Sequence, residues 1–251
     1  MALTFGPAPL AGEHAVFLQP DERRLRPRAG TRFLADTTRA TLVHETGSMA
    51  VPYLPLADVD QELLEPSETT YECPHKGTAR FWHVVVDGVR HEDAAWQYHE
   101  PKAGCEGLAE LVAFDRHAVG EWFVEDERAF SHLKDPFHRV DAHDSSRTVE
   151  VRINGTLVAR TERPKMLFET SLGGRPYLPL ADVEPGVLEP AEKRAQCPYK
   201  GESTYRHARV DGVLVEDAAW LYEAPLPEAI KIQEHVAFDD SLDGVEVTVT
   251  P

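Results

Sequence analysis

The sequence predicts a mainly β protein of the α+β kind: two similar compact modules, each with β-hairpins and one short C-terminal helix, arranged as a pseudo-dimer. A gap-free internal repeat, turn dipeptides set between alternating apolar residues, and an element order that lacks strand–helix alternation together predict it. Pro52-Tyr53-Leu54-Pro55-Leu56-Ala57-Asp58-Val59 recurs letter for letter as Pro176-Tyr177-Leu178-Pro179-Leu180-Ala181-Asp182-Val183, a shift of 124 residues. Positions 52–115 and 176–239 share 33 identities in 64. Self-similarity at a fixed shift is the mark of a duplicated folding unit.

The elements follow in order. Val149, Val151 and Ile153 alternate with polar residues, and Asn154-Gly155 then leads into Leu157-Val158-Ala159. That pattern predicts a hairpin, because a type I′ turn needs positive φ at both central residues. A Pro-rich loop comes next in each copy, around Pro52 and Pro55 and around Pro176 and Pro179. A second hairpin is predicted over Phe81 to Tyr98 about Asp87-Gly88, and over Tyr205 to Tyr222 about Asp211-Gly212. Residues 103–111 and 227–235 are predicted to be helical, with Pro227 suited to a first turn and Ala229, Ile230, Ile232 and Val236 spaced for one apolar face. Short strands at Val112 to Phe114, Val236 to Phe238 and Val245 to Val249 complete the modules. This order is not the βαβ alternation of a parallel α/β sheet.

The repeat predicts an N-terminal extension at 1–22, a first module at 23–125, a linker at 126–146 and a second module at 147–251. The linker is acidic and carries His132, His138 and His143, read as solvated. Its apolar residues Phe130, Leu133, Phe137 and Val140 predict that it wraps a module instead of hanging free.

Charge and composition exclude several functions. With 43 acidic against 26 basic residues the net charge is −17, which repels a phosphate backbone, so nucleic acid is not expected as a partner. Residues 1–20 lack a basic start and an apolar run, and no stretch elsewhere approaches membrane-spanning length, which predicts a soluble cytoplasmic protein without a membrane partner. Three cysteines without a C-x-x-C pair argue against a disulfide framework or a cysteine zinc site. The absence of a Gly-x-Gly-x-x-Gly strand–helix unit argues against a nicotinamide or flavin, and the cofactor is otherwise unspecified.

The ordered set Asp58-Val59, Leu64, Cys73-Pro74-x-Lys76-Gly77, the Val-Asp-Gly hairpin, Ala94-Ala95-Trp96, Tyr98, Pro101 and Val112-Ala113-Phe114 resembles the family called domain of unknown function 427. The second copy resembles it too, through Cys197-Pro198-x-Lys200-Gly201, Ala218-Ala219-Trp220, Tyr222, Pro225 and His235-Val236-Ala237-Phe238. The resemblance implies a compact β-rich module. Because members usually carry one, the fused pair implies a covalent version of a homodimer, with further association left open. The family's nucleotidyltransferase-like label implies a Gly-Ser turn followed by an Asp-x-Asp pair holding Mg²⁺. Gly47-Ser48 with Asp58-Val59-Asp60 fits that text, but Pro52 and Pro55 crowd the spacer and no basic cluster stands nearby to hold a triphosphate.

Residues recurring in both copies supply the candidate site. Cys73 and Cys197 are either nucleophiles activated by Lys76 and Lys200 three residues on, or small buried hydrophobes opening a turn. The lysines themselves are candidates for contacting an anion. Asp58 and Asp182 are either general bases or turn and cap formers. Trp96 with Tyr98, and Trp220 with Tyr222, stand two apart on a strand and share a face, as core or as the wall of a ligand site. His83 and His207 are either acid–base groups or structural, and His75 and His91 have no counterparts in the second copy. Charged and hydrogen-bonding residues recurring beside aromatics predict a site for a small anionic molecule in one or both modules, whether catalytic or only binding. The rival is an interaction protein whose repeated residues serve the fold alone.

Overall fold

A computed structural model describes residues 14–251, which belong to two units, Met1–Asp135 and Pro136–Pro251. The seven-stranded antiparallel sheet of the first unit runs in the order Val16–Asp21, Ala40–Glu45, Val51–Pro55, Leu111–Phe114, Val89–Pro101, Gly77–Val86 and Leu64–Cys73. In the second unit the order is Val140–Asp144, Lys165–Glu169, Arg175–Pro179, His235–Phe238, Val213–Leu221, Gly201–Val210 and Leu188–Cys197. Nearly every strand begins 124 residues after its counterpart, so the duplication extends to strand order. A smaller sheet accompanies each: Glu127–Arg128, Glu121–Val124, Leu25–Ala29 and Arg32–Phe33 in the first unit, and Thr156–Thr161, Thr148–Ile153 and Val245–Thr250 in the second.

The small sheet and one face of the large sheet enclose the main core of each unit. Leu25, Leu34 and Trp122 cluster with Leu54, Val84, Ala95 and Phe114, and Val149, Val151 and Ile153 cluster with Leu178, Ala219, Val236 and Phe238. Each large apolar side chain buried this way contributes about 1.5–3 kcal/mol. Strand alternation sends the preceding residues, Tyr53 and Tyr177, to the opposite face, where a second cluster forms.

The hairpin turns follow their dipeptides. Asp87-Gly88, Asn154-Gly155 and Asp211-Gly212 have positive φ at both residues, the backbone that a type I′ turn requires. Elsewhere the structure corrects the sequence reading. The Pro-rich loop is a strand inside the sheet: Pro52 lies beside Leu42 on one side only, Pro55 beside Leu111 on one side only, and Tyr53 between them has strand neighbours on both sides. A proline is tolerated where one flank is open, since its missing N–H interrupts no ladder there.

No α-helix forms at the predicted C-terminal sites. Glu106–Leu108 and Pro227–Ile232 are 3₁₀ segments. Ala229 and Ile232 are buried while Ile230 is exposed, so the apolar spacing is three, the 3₁₀ period, and too few residues remain for a helical stripe.

The extension and the linker also contain structure. Val16–Asp21 is an edge strand paired with Ala40–Glu45, and Val140–Asp144 is its counterpart, paired with Lys165–Glu169. Both were hidden in the sequence, the first by Pro20 and the second by its acidic surroundings. Leu133 packs on the first core and Val140 is buried in the second unit, whereas Phe130 and Phe137 are exposed. Arg23 donates to the Lys134 carbonyl at 3.1 Å, which holds that part of the segment to the first unit.

Candidate functional site

The Tyr177 face of the second unit contains a cavity of about 500 Å³. Tyr177 comes from Arg175–Pro179, Trp220 from Val213–Leu221, Tyr222 from just beyond that strand, and Lys200 from the turn between Cys197 and Gly201. All four line the cavity, together with Tyr205 and Arg175. Trp220 and Tyr222 point the same way because they stand two apart on an extended backbone.

Hydrogen bonds fix the arrangement. Trp220 Nε1 donates to Tyr177 Oη at 3.1 Å. Burial pushes the Tyr177 and Tyr222 hydroxyls well above the ordinary phenol range, so both remain protonated and able to donate. Lys200 is 9% exposed and ion-paired with Glu169. Glu169 also lies 3.0 Å from His138 Nε2, and the His138 ring stacks on Tyr199 at 4.1 Å. Burial pushes the Glu169 carboxyl up, but His138 and Lys200 outweigh that and hold it below its ordinary value. Arg175 bonds Asp240 at 2.6 Å and the Phe238 carbonyl at 3.2 Å through Nη1, with its guanidinium 5.5 Å from the Trp220 ring centre.

The first unit repeats the frame. Trp96 Nε1 donates to Tyr53 Oη at 2.9 Å, Lys76 pairs with Glu45, and His14 lies 3.0 Å from Glu45 and stacks on His75 at 3.5 Å. The lining differs. Where the second unit has Arg175, Ser203 and Tyr205, the first has Val51, Ala79 and Phe81, and these pack into the cluster around Tyr53.

Glu45, Glu169, His14 and His138 were absent from the sequence reading, which treated His138 as solvated. Continuing the 124-residue shift upstream of Pro52 pairs His14 with His138 and Glu45 with Glu169. That signal was available.

Of the remaining candidates, all but Cys197 lie apart from this cavity. Asp58 is held by Arg39 at 2.6 Å and Thr37 at 2.6 Å, and Asp182 by Arg163 at 2.9 Å and Thr161 at 2.7 Å. The bonds from Arg39 and Arg163, then those from the threonines, hold both carboxyls below the ordinary range. Asp182 lines a different, open depression with Arg163. His83 Nδ1 accepts the Asp93 N–H at 3.1 Å, and His207 Nδ1 accepts the Asp217 N–H at 3.0 Å. Asp93 and Asp217 have positive φ opposite sheet irregularities, so these histidines secure a bulge. Cys73 Sγ accepts the Lys76 N–H at 3.4 Å, which closes the turn, while the Lys76 ammonium goes to Glu45. Cys197 lines the cavity.

The family model described as Domain of unknown function (DUF427), labelled NTP_transf_9, matches residues 17–125 and again 141–249. The chain belongs to the DUF427 family. Comparison with curated proteins returns no match. In this tandem DUF427 chain the nucleotidyltransferase-like text does not assemble: Asp58 turns to Thr37 and Arg39, while Asp60 binds Arg32 at 2.8 Å and accepts from the Glu62 N–H at 3.3 Å. Gly47-Ser48 lies in the turn joining two antiparallel strands, not at the start of a helix. Among the described residues no three His, Cys, Asp or Glu side chains gather as metal ligands, and no helix is long and apolar enough to cross a membrane.

Proposed function

We propose that the second module binds a small anionic metabolite in the Trp220 cavity, and that the protein does so in the cytoplasm. The observation that carries this reading is the convergence of a buried lysine, an arginine and four aromatic side chains on one concavity of about 500 Å³. That volume lies within the range of small-molecule sites, which combine apolar walls with a few placed polar groups. Packing alone requires neither Lys200 nor Glu169 buried against the cavity, since an ion pair taken out of water contributes little net stability.

Binding without turnover is the favoured form. Glu169 and Asp182, the carboxylates suited to act as bases, are each neutralised by a cation. A catalytic form rests on Cys197, which borders the cavity beside Tyr222.

Native mass spectrometry of the purified chain, followed by a fragment screen read by ligand-observed NMR, tests the proposal. The expected result is a co-purified small molecule, or fragments that compete for one site and are weakened by Arg175→Val. If nothing co-purifies and no fragment binds, the repeated residues serve the fold alone. Ligand protection of Cys197 from iodoacetamide places the occupant against the thiol.

A further inference from the structure

We infer that the ligand of the Trp220 cavity is a planar aromatic monocarboxylate of the benzoate class, and that each chain takes up one. The inference rests on the preceding reading of the cavity as a small-molecule site and adds the chemical class and the stoichiometry.

Charge comes first. Lys200 and Arg175 bring two positive groups to the cavity and Glu169 and Asp240 two negative ones, paired within the site. Any anion meets repulsion from both carboxylates in proportion to its charge, so a phosphate or diphosphate dianion meets about twice what a single carboxylate meets. A single carboxylate needs only the donors that the two cations have left over.

Those donors remain unspent. Lys200 has three N–H groups, of which Glu169 takes one. Arg175 is engaged only through Nη1, which leaves Nε and Nη2. Tyr177, 2% exposed, accepts from Trp220 and donates to no described group. The acids are occupied by their cations, so the site offers hydrogens and asks the ligand for acceptors.

The rings set the shape. Trp220 has Arg175 over its face and Tyr205 tilted against it at 6.3 Å between centroids, with Tyr177 bonded to its indole nitrogen. Aromatic walls favour a flat π-system in offset or edge contact over a bulky saturated one. A cavity of about 500 Å³ has room for an aromatic ring with its carboxylate.

The stoichiometry comes from the first module, which keeps Lys76, Glu45, Tyr53 and Trp96 but replaces Arg175, Ser203 and Tyr205 with Val51, Ala79 and Phe81. An anion there would lose the guanidinium donors. One site per chain follows.

Isothermal titration of the full chain with benzoate and 4-hydroxybenzoate tests this, with benzamide as the uncharged aromatic ring, cyclohexanecarboxylate as the acid on a saturated, non-aromatic ring, and inorganic phosphate. The expected result is one benzoate per chain, with benzamide, cyclohexanecarboxylate and phosphate each weaker by at least about tenfold. Arg175→Val, which installs the residue found at the equivalent position of the first module, is expected to weaken benzoate by at least about tenfold in a chain that still unfolds cooperatively, since Arg175 is partly exposed and Asp240 lies at the surface. Equal binding of benzamide and benzoate, two sites per chain, or wild-type affinity in the variant overturns the inference. If fragments of another class occupy the cavity while benzoates do not, the class is wrong and the site stands. If no small molecule binds, both readings fall.

Discussion

Lys200 is the residue on which the proposed site and the fold meet. Removing its charge by Lys200→Met leaves Glu169 with only His138 in a buried setting, and is expected to cost about 3 kcal/mol in urea unfolding. The double change Glu169→Gln with Lys200→Met is expected to recover part of that loss, because no carboxylate is then stranded. His83→Ala and His207→Ala should behave differently, each costing about 1 kcal/mol for the orphaned Asp93 or Asp217 N–H while ligand affinity is unchanged. Acid should weaken the fold through Asp58 and Asp182. Their folded carboxyls titrate below the ordinary value of 3.8, so the stabilisation is complete above that pH and disappears as pH falls through the folded values. Arg163→Leu should flatten that acid limb in a pH series of melting curves. At this scale the lysines, tryptophans and tyrosines were legible as a repeated set. Glu169 and His138 were fainter, as isolated identities with Glu45 and His14 at the same shift among neighbours that diverge between the copies.

Turns and bulges decide the elements. Gly77 has φ +109°, and a Cβ there would stand 2.2 Å from the Glu100 carbonyl, whereas at Gly201, φ +100°, the nearest carbonyl is 3.3 Å away. Both substitutions to alanine strain the backbone, but only the first also drives a side chain into main chain. Gly77→Ala is therefore expected to cost about 3 kcal/mol or more and Gly201→Ala about 1–2 kcal/mol, which a chemical denaturation series would separate. The hairpins were readable because Asp-Gly and Asn-Gly state their φ requirement in the sequence. The strand at Val51–Pro55 was not, since proline is judged by average propensity while its fit depends on which flank is open. The 3₁₀ segment at Pro227–Ile232 was misread for a related reason: over six residues, periods of three and 3.6 are hard to distinguish.

For the molecule as a whole, the repeat announced two units and the strand orders repeat accordingly. Each unit contains two apolar clusters of its own, so residues 136–251 expressed alone are expected to fold, with dispersed amide NMR signals and near-ultraviolet circular dichroism from Trp220. Sequence could not reveal how the repeated frame is lined in each copy, because that depends on how Val51 and Phe81 pack against the Tyr53 cluster and not on the repeated letters. That difference makes the first half a natural recipient. Its lysine, glutamate, tyrosine and tryptophan already stand in the frame, so Val51→Arg, Ala79→Ser and Phe81→Tyr amount to transplanting a lining into an existing socket. A chain so altered would take up a second guest if those three side chains suffice for recognition. The fraction of the donor half's affinity that moved with them would measure how much selectivity lies in the lining, and how much in the shared frame behind it.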